Sequence, residues 1–424
     1  MAKKFQSLRG FPDFYPENKA NLNWLTEKMR QVSRKAGYLE FEGPILESLD
    51  IYKVKSGKEL VSEQTFQFRD RSGRQVALRP ELTPTLARMI AAKSSNILTP
   101  ARWFSIGPFF RYEKPQTGRF RQFYQWNVDL VGTSTPEADA EVIGLIAQLF
   151  ADLGITSEQA VIKISDRNLL ETRFDIIGIP KQKFKKVLTA IDKKEKIAQE
   201  EFENLLKRTK LTTVQIKDLT RILADYDFAE ESDSLTAIFT NLSDLGLANY
   251  CEFDPTVVRG LDYYTGTVFE AYDRAGKLRA LAAGGRYNNL ISDFGGPKLG
   301  AVGFGAGLEI LLEFLESLEK LPDLTLSPTK ILVTIFDESL VRESLKLVNF
   351  LRTEGVAAEL YPEVAKLDRQ IKFALKKGLP YMAIVGPAEA ERKTVTVKIL
   401  ATGEQLQVSQ ESLPALIKTG FSQL

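Results

Sequence analysis

The sequence predicts an α+β fold built on an antiparallel sheet, interrupted by a helical insertion and followed by a separate α/β unit. Three observations carry that prediction. Two aromatic-rich apolar runs flank Pro115-Gln116-Thr117-Gly118, the composition of two strands joined by a turn-bearing loop, hence an antiparallel hairpin. From 181 to 210 the composition turns to charge, with ten Lys/Arg against five Asp/Glu, as on a solvated helical stretch. After a proline-bearing segment at 321–330, strand and helix patterns alternate, which is the signature of a parallel or mixed sheet. A chain of 424 residues also exceeds one average domain.

Composition removes whole classes of chemistry. With 44% hydrophobic and 26% charged residues the chain can bury large cores. No apolar run approaches the length of a membrane span, and MAKKFQSLRGF lacks the apolar core of a signal peptide, so the cytoplasm is the expected compartment. The 57 Lys/Arg and 55 Asp/Glu nearly cancel, so a nucleic-acid partner must be met by local basic patches. A single cysteine, Cys251, excludes internal disulfides and multi-cysteine zinc sites. There is no histidine at all, which excludes Ser-His-Asp and Cys-His catalysis and every histidine-ligated metal. Acid-base or phosphate chemistry must therefore use Arg, Lys, carboxylates, Tyr and a bound metal.

Along the chain, Leu22, Leu25, Met29, Val32 and Ala36 recur at helical spacing, ended by Gly37. FEGPILE follows as a strand, and Pro44 within it suits an edge. A hairpin-like region leads to LRPELTPTLARMIAAK, where Pro84 opens a helix and Glu81 and Thr83 sit at the strand-to-helix junction, a place where polar groups often act only as caps. In the central hairpin, alternation puts Arg121, Phe123, Gln125, Asn127 and Asp129 on one face and Tyr124, Trp126, Val128 and Leu130 on the other. Thr135-Pro136 opens a helix with Ala138, Val142, Leu145, Ile146, Leu149 and Leu153 on one side, a pattern of core packing. Residues 254–290 return to strands around a turn at 274–277. The glycines Gly303, Gly305 and Gly307 lead into a helix but fail the dinucleotide spacing, and no phosphate-loop GK[ST] motif occurs. Near the C-terminal end, the 366–377 helix carries Lys366, Arg369, Lys372 and Lys376 on one side and Leu367, Ile371, Ala374 and Leu375 on another, the usual form of a solvated basic face.

The hairpin loop carries a more specific signal. FRYEKPQTGRFRQFYQ, residues 110–125, resembles the second signature motif of class II aminoacyl-tRNA synthetases in the histidyl-tRNA synthetase form, roughly FRxERPQxGRxRQFxQ. LRPELT is similar to that family's amino-group site. RGLDYY at 259–264 and GGRY at 284–287 resemble the two signatures particular to it, and LGAVGFGAGLEILLEFLE resembles the third class II motif. The C-terminal order, including KKGLPYMAIVG and TVTVK, is similar to the family's anticodon-binding domain. The resemblance spans the whole chain.

It implies a class II catalytic domain in two parts, 1–169 and 246–322, a helical insertion at 170–245 lying over the tRNA acceptor stem, and an anticodon-binding domain at 328–424. The first helix, strand and Pro44 would build a homodimer interface. The implied activity is histidine–tRNA ligation. The histidine carboxylate attacks the α-phosphate of ATP with Mg2+, and the acyl group then moves to the terminal ribose of tRNA(His). The resemblance assigns Arg111 to the α-phosphate, Glu113 and Arg119 to adenine and the outer phosphates, and Gln116 to the acceptor end. It assigns Arg259 to catalysis beside Arg111. L-histidine would be held by Glu81, Thr83, Gln125, Asp129, Arg259, Tyr263, Tyr264 and Tyr287, with no metal held by protein side chains alone.

Two positions depart from the pattern: Lys114 stands for the second loop arginine, and Ile310 for the arginine that covers adenine. A second reading stays open, a non-catalytic histidine- or tRNA-binding paralogue of the ATP phosphoribosyltransferase regulatory-subunit type. Such proteins lack the C-terminal domain and erode the RGLDYY arginine, whereas both features are present here.

Overall fold

The stripe of Leu22, Leu25, Met29 and Val32 is wholly buried along helix Pro16–Lys35 in the computed structural model, which describes residues 5–57, 60–114, 120–194, 197–324 and 327–421. Pro16 occupies the first turn, where its missing N–H costs nothing, and Gly37 beyond the end adopts φ +80°, as an αL terminator does. The chain divides into two compact units, one through Pro322 and one from Asp323.

In the first unit the strands are β1 (Leu39–Glu40), β2 (Leu46–Ser48), β3 (Gln67–Arg69), β4 (Gln75–Leu78), β5 (Ala101–Phe110), β6 (Gln122–Val131), β7 (Ala160–Asp166), β8 (Cys251–Phe253), β9 (Thr267–Asp273), β10 (Ala282–Arg286) and β11 (Ala301–Gly307). Among the described residues, eight of them form one sheet in the order β1-β5-β6-β11-β10-β9-β7-β8, antiparallel except at β1–β5 and β7–β8. The hairpin expected from the aromatic runs is β5–β6, paired from Ala101↔Val131 to Phe110↔Gln122. Its apolar face enters the core: Trp126, Val128 and Leu130 pack with helices Pro16–Lys35, Pro136–Asp152 and Leu308–Ser317, and Trp126 meets Phe304 edge-on at 4.9 Å.

The charged stretch forms helices Arg167–Ile176, Lys181–Ile191, Gln199–Arg208, Thr213–Ile222 and Asp233–Asp244. Each turns a narrow apolar side inward, burying Phe174, Phe184, Phe202, Leu219 and Leu235 in a core continuous with that beneath the sheet. The lysines of helix Lys181–Ile191 stay outside, as the charge pattern requires, whereas Arg167 and Arg173 of the preceding helix turn inward.

The second unit is a mixed sheet of β12 (Ile331–Val333), β13 (Ala358–Leu360), β14 (Tyr381–Ile384), β15 (Thr394–Ile399) and β16 (Gln405–Ser409) in the order β13-β12-β14-β15-β16. β16 is absent from the sequence reading because QLQVS buries none of its side chains and so carries little apolar signal. Helix Leu367–Lys376 does turn its basic side outward.

Two local expectations are corrected. FEGPILE is not one strand: the chain pairs at β1 and again at β2, and between them Gly43 and Glu42 are drawn to the buried Arg79, whose Nη1 donates to Gly43 O at 3.0 Å and pairs with Glu42. Asp254–Gly266 is a loop. The glycine pair Gly284-Gly285 lies in β10, which pairs regularly on both sides. A Cβ at Gly284 would crowd Gly303 O and lie 2.6 Å from Phe304 Cβ, and one at Gly285 would lie 2.7 Å from Thr267 O and 2.8 Å from Tyr264 Cδ1, so neighbouring backbone and side chains together exclude side chains there.

Ser33 joins the first helix to the sheet, accepting from Trp126 Nε1 at 3.0 Å while donating to Met29 O at 2.9 Å, all fully buried. Ser33→Ala orphans a buried indole N–H and should cost about 1–3 kcal/mol. Urea unfolding would report this as a lower midpoint at unchanged slope; an unchanged midpoint would show that the bond contributes nothing net.

Candidate active site

The polar face of β6 does not meet bulk water; it lines a cavity of about 470 Å3 in the first unit. The neighbouring strand makes the space. β11 sets Gly303 opposite Asp129, Gly305 opposite Asn127 and Gly307 opposite Gln125. A Cβ at Gly303 would come within 2.8 Å of Asp129 Cγ, and one at Gly305 within 2.8 Å of Gln125 Cδ. Side chains on β11 would therefore fill the floor on which the β6 ladder lies.

Glu81, Thr83, Arg111, Gln125, Arg259, Tyr263, Tyr264 and Tyr287 all line this one cavity, although they come from four separate stretches of sequence. At the strand-to-helix junction the bland capping account fails. The helix begins at Thr83, its N-cap is Leu82, and no side chain caps it. Instead Glu81 accepts from Ser56 Oγ at 2.5 Å and from the Tyr263 hydroxyl at 3.0 Å, and burial raises its carboxyl above the usual range. Arg111 is held at the end of β5 by donation from Nε to Pro80 O at 2.9 Å, with its guanidinium 5.3 Å over the Phe123 ring. Its two terminal nitrogens are left for the cavity wall.

Asp129 is not itself among the lining residues; it lies behind Tyr287, which is. It is 4% exposed and accepts from the Tyr287 hydroxyl, and Tyr287 in turn meets Tyr263 edge-on at 5.8 Å. Burial pushes its carboxyl up to about 7, against the pull of the Tyr287 hydrogen bond, while burial and the Asp129 charge hold Tyr287 well above its ordinary value. Tyr264 packs 4.8 Å from Tyr263 and makes no contact of its own with Asp129. The hydrogen-bonded pair is thus Asp129–Tyr287.

Arg259 sits in the left-handed region at φ +57°, an uncommon conformation for a non-glycine residue. Burial opposes its charge, but the pairing with Glu270 outweighs this and keeps it firmly cationic; its Nε is buried and has no hydrogen-bond partner in the protein. The loop that carries it is fixed by a residue the sequence did not single out. Arg167 donates from Nε to Val258 O (2.9 Å), from Nη1 to Tyr264 O (2.9 Å) and from Nη2 to Arg259 O (2.6 Å) and Leu261 O (3.2 Å). Arg286 does the same for the strand leading into Tyr287, pairing with buried Asp139 at 3.0 Å and donating to Thr133 O and Thr135 O. Nothing local marked Arg167, Asp139, Ser56 or Glu270, because each acts on a segment distant in sequence.

With this geometry in place, comparison with known proteins is decisive. The profile of the histidyl-tRNA synthetase family matches residues 10–311, and that of an anticodon-binding domain matches 330–420. A histidine–tRNA ligase from Opitutus terrae is 37% identical over 434 residues, covering 99% of both chains. The chain belongs to the histidyl-tRNA synthetase family. The chloroplastic/mitochondrial histidine–tRNA ligase of Arabidopsis thaliana is also 37% identical, over 96% of this chain and 85% of its own. The crystal structure of histidyl-tRNA synthetase from a Nostoc species superposes with a TM-score of 0.80 at 26% identity, covering 99% of this chain and all of that one.

The family's second-motif loop is only partly visible here. Gln116 and Arg119 lie outside the described residues. Glu113 follows β5 but is not among the side chains lining the cavity; its carbonyl accepts from Arg121 Nε at 3.2 Å. Lys114 is exposed, and Ile310 is 2% exposed and takes part in both the cavity wall and the main core.

The raised Asp129 carboxyl has a consequence for stability. Between about pH 4, where an unfolded Asp titrates, and about pH 7 the folded state holds a proton that the unfolded state has released, so stability falls as pH rises through that window. Asp129→Asn removes the titration. Its thermal midpoint relative to the unsubstituted protein should rise from pH 5 to pH 8. Parallel midpoint curves for the two proteins would show that Asp129 is not the perturbed group.

Proposed function

We propose that this cavity activates histidine with ATP and that the protein then transfers the acyl group to tRNA(His), as an aminoacyl-tRNA ligase of the histidine class. One observation carries the assignment of roles: two cations, Arg111 and Arg259, line the same cavity as an amino-group site at Glu81 and Gln125, above a buried acceptor at Asp129. Those are the groups that adenylate formation from histidine requires.

Histidine is read at both ends. Its ammonium is met by Glu81, with Thr83 and Gln125 beside it, and its ring enters toward Asp129. A neutral imidazole offers one donor and one acceptor, so the Asp129 carboxylate takes the N–H while a tyrosine hydroxyl, Tyr287 or Tyr264, serves the other nitrogen. A site built on such bonds rejects analogues lacking the polar group by roughly 10⁴- to 10⁵-fold. The substrate carboxylate is left near Arg111 and Arg259. As its oxygen bonds to the α-phosphorus and the bond to pyrophosphate breaks, negative charge grows on the α-phosphate oxygens. Fixed cations aimed there act on the transition state at little cost in reorganisation.

The two carboxylates lining the cavity are already engaged, Glu81 by Ser56 and Tyr263 and Glu270 by Arg259 and Tyr272. Among the described residues no group of three or more metal-ligating side chains occurs. Mg2+ therefore fits as a partner of the triphosphate, neutralising the leaving pyrophosphate. Glu113, Arg119 and Gln116 remain our assignments to the outer nucleotide and the tRNA end, the 170–245 helices to the acceptor stem, and the second unit to the anticodon. We place the enzyme in the cytoplasm; no helix among the described residues is long and apolar enough to cross a membrane.

A homodimer through the first motif is supported by apolar side chains left in solvent there: Leu39 is 68% exposed, Phe68 50%, and Ile45 and Leu46 44% each. Leu39→Lys with Leu46→Lys should halve the mass seen by sedimentation equilibrium; an unchanged mass would move the interface elsewhere.

The regulatory-subunit reading is disfavoured by the anticodon-domain match and by Arg259. Histidine-dependent exchange of pyrophosphate into ATP separates the two. Arg259→Ala should lose on the order of 10²- to 10³-fold in exchange while still binding histidine, and Asp129→Ala should chiefly lose histidine binding. Histidine binding without any exchange under Mg-ATP would favour the regulatory paralogue.

A further inference from the structure

Ile310 stands where the family's third motif carries an arginine, yet the cavity is not short of a cation at that point. Ile310 contributes only an apolar wall beside Gly307, where a Cβ would lie 3.1 Å from Ile310 Cγ2. The segment between β9 and β10 supplies the charge. Arg279 lines the same cavity as Ile310, Gly305, Phe123 and Arg111.

Its placement follows from the sheet. β10 and β11 pair antiparallel with Ala282 opposite Ala306, and Gly307 N–H donates to Leu281 O at 3.2 Å, so the chain just before β10 runs alongside the start of helix Leu308–Ser317. Arg279 is thereby brought level with Glu309, the neighbour of Ile310. Electrostatics agree. Burial pushes the Glu309 carboxyl up to about 7 while the Arg279 charge pulls it down, and Arg279 acts in the same sense on Glu313. Glu309 is itself anchored, with both oxygens accepting from Tyr124 N–H at 2.9 and 3.0 Å.

We propose that Arg279 is the cation that lies against the purine of bound ATP, taking from the segment before β10 the part that position 310 cannot play. The proposal rests on reading the cavity as an ATP site. A guanidinium at the rim is exposed and long enough to move onto an incoming ring, its plane suits an aromatic face, and the apolar Ile310 and Phe123 supply the desolvated surroundings in which such stacking gains strength. An arginine at 310 and one at 279 would compete for one space and repel, which gives Ile310 a physical reason to be apolar.

The rival role for Arg279 is structural: neutralising Glu309 and Glu313. The two roles separate in Arg279→Ala, assayed by pyrophosphate exchange and by calorimetric titration of ATP into the histidine-free protein. A nucleotide contact raises the KM and Kd for ATP about ten-fold, leaves the KM for histidine within two-fold and leaves the thermal midpoint in place. Unchanged ATP constants, or ATP and histidine constants rising together with a lowered midpoint, would overturn the proposal. Arg279→Lys keeps the charge but not the plane and should recover only a minor part of the ATP defect; full recovery would overturn the stacking assignment. Loss of ATP affinity in Arg279→Ala, combined with no histidine-dependent exchange by the unsubstituted protein, would sink the ligase reading and leave the contact standing.

Discussion

The site depends on a strand that carries almost no side chains. β11 contributes Gly303, Gly305 and Gly307 opposite Asp129, Asn127 and Gln125, and a Cβ at Gly303 or Gly305 would collide with the ladder. Close packing of protein interiors leaves no slack to absorb two such collisions. The glycines therefore do not bind a phosphate loop-fashion; they remove volume from one face of a sheet whose other face is packed with Trp126, Val128 and Phe304.

Around that floor the active-site groups are held by arginines that never reach the cavity. Arg167 gathers four carbonyls of the Val258–Tyr264 loop, and Arg286 ties Tyr287's strand to Asp139. A loop that must hold Arg259 at positive φ cannot hold itself, because its carbonyls have no strand partner to accept from. Arg167 supplies those donors in a fork too wide for a lysine to imitate. Arg259 is thus positioned by a second arginine at the start of helix Arg167–Ile176, which ties that helix to the cavity loop.

Burial also rewrites the acid-base inventory. A chain with no histidine has no side chain of ordinary pKa between about 5 and 8. Among the described residues, desolvation moves carboxyls toward that range: Asp129 and Glu309 are pushed up to about 7, Asp139 to about 6 despite its pairing with Arg286, and Glu81 is raised as well. A neutral-range ionisation in the rate profile belongs to these carboxyls or to the imidazole of the substrate.

Much of this was legible in the chain itself. The β5–β6 hairpin, its two faces, the first helix and the alternation of the second unit are local consequences of residue periodicity and turn chemistry, and motifs such as RGLDYY and GGRY named side chains that do converge on one cavity. Strand ends, the loop at 254–266 and the weakly apolar β16 were not, because pairing there depends on partners far along the chain. Nor could the sequence say that Tyr287 donates to Asp129, that Ser56 and Tyr263 hold Glu81, or that Arg279 lines the same cavity as Ile310. Sequence determines which side chains share a face, since that follows from backbone geometry of a few residues. Which faces then confront each other, and what their burial does to a carboxylate or an arginine, is decided only when strands distant in sequence are brought within a few ångströms and water is removed between them.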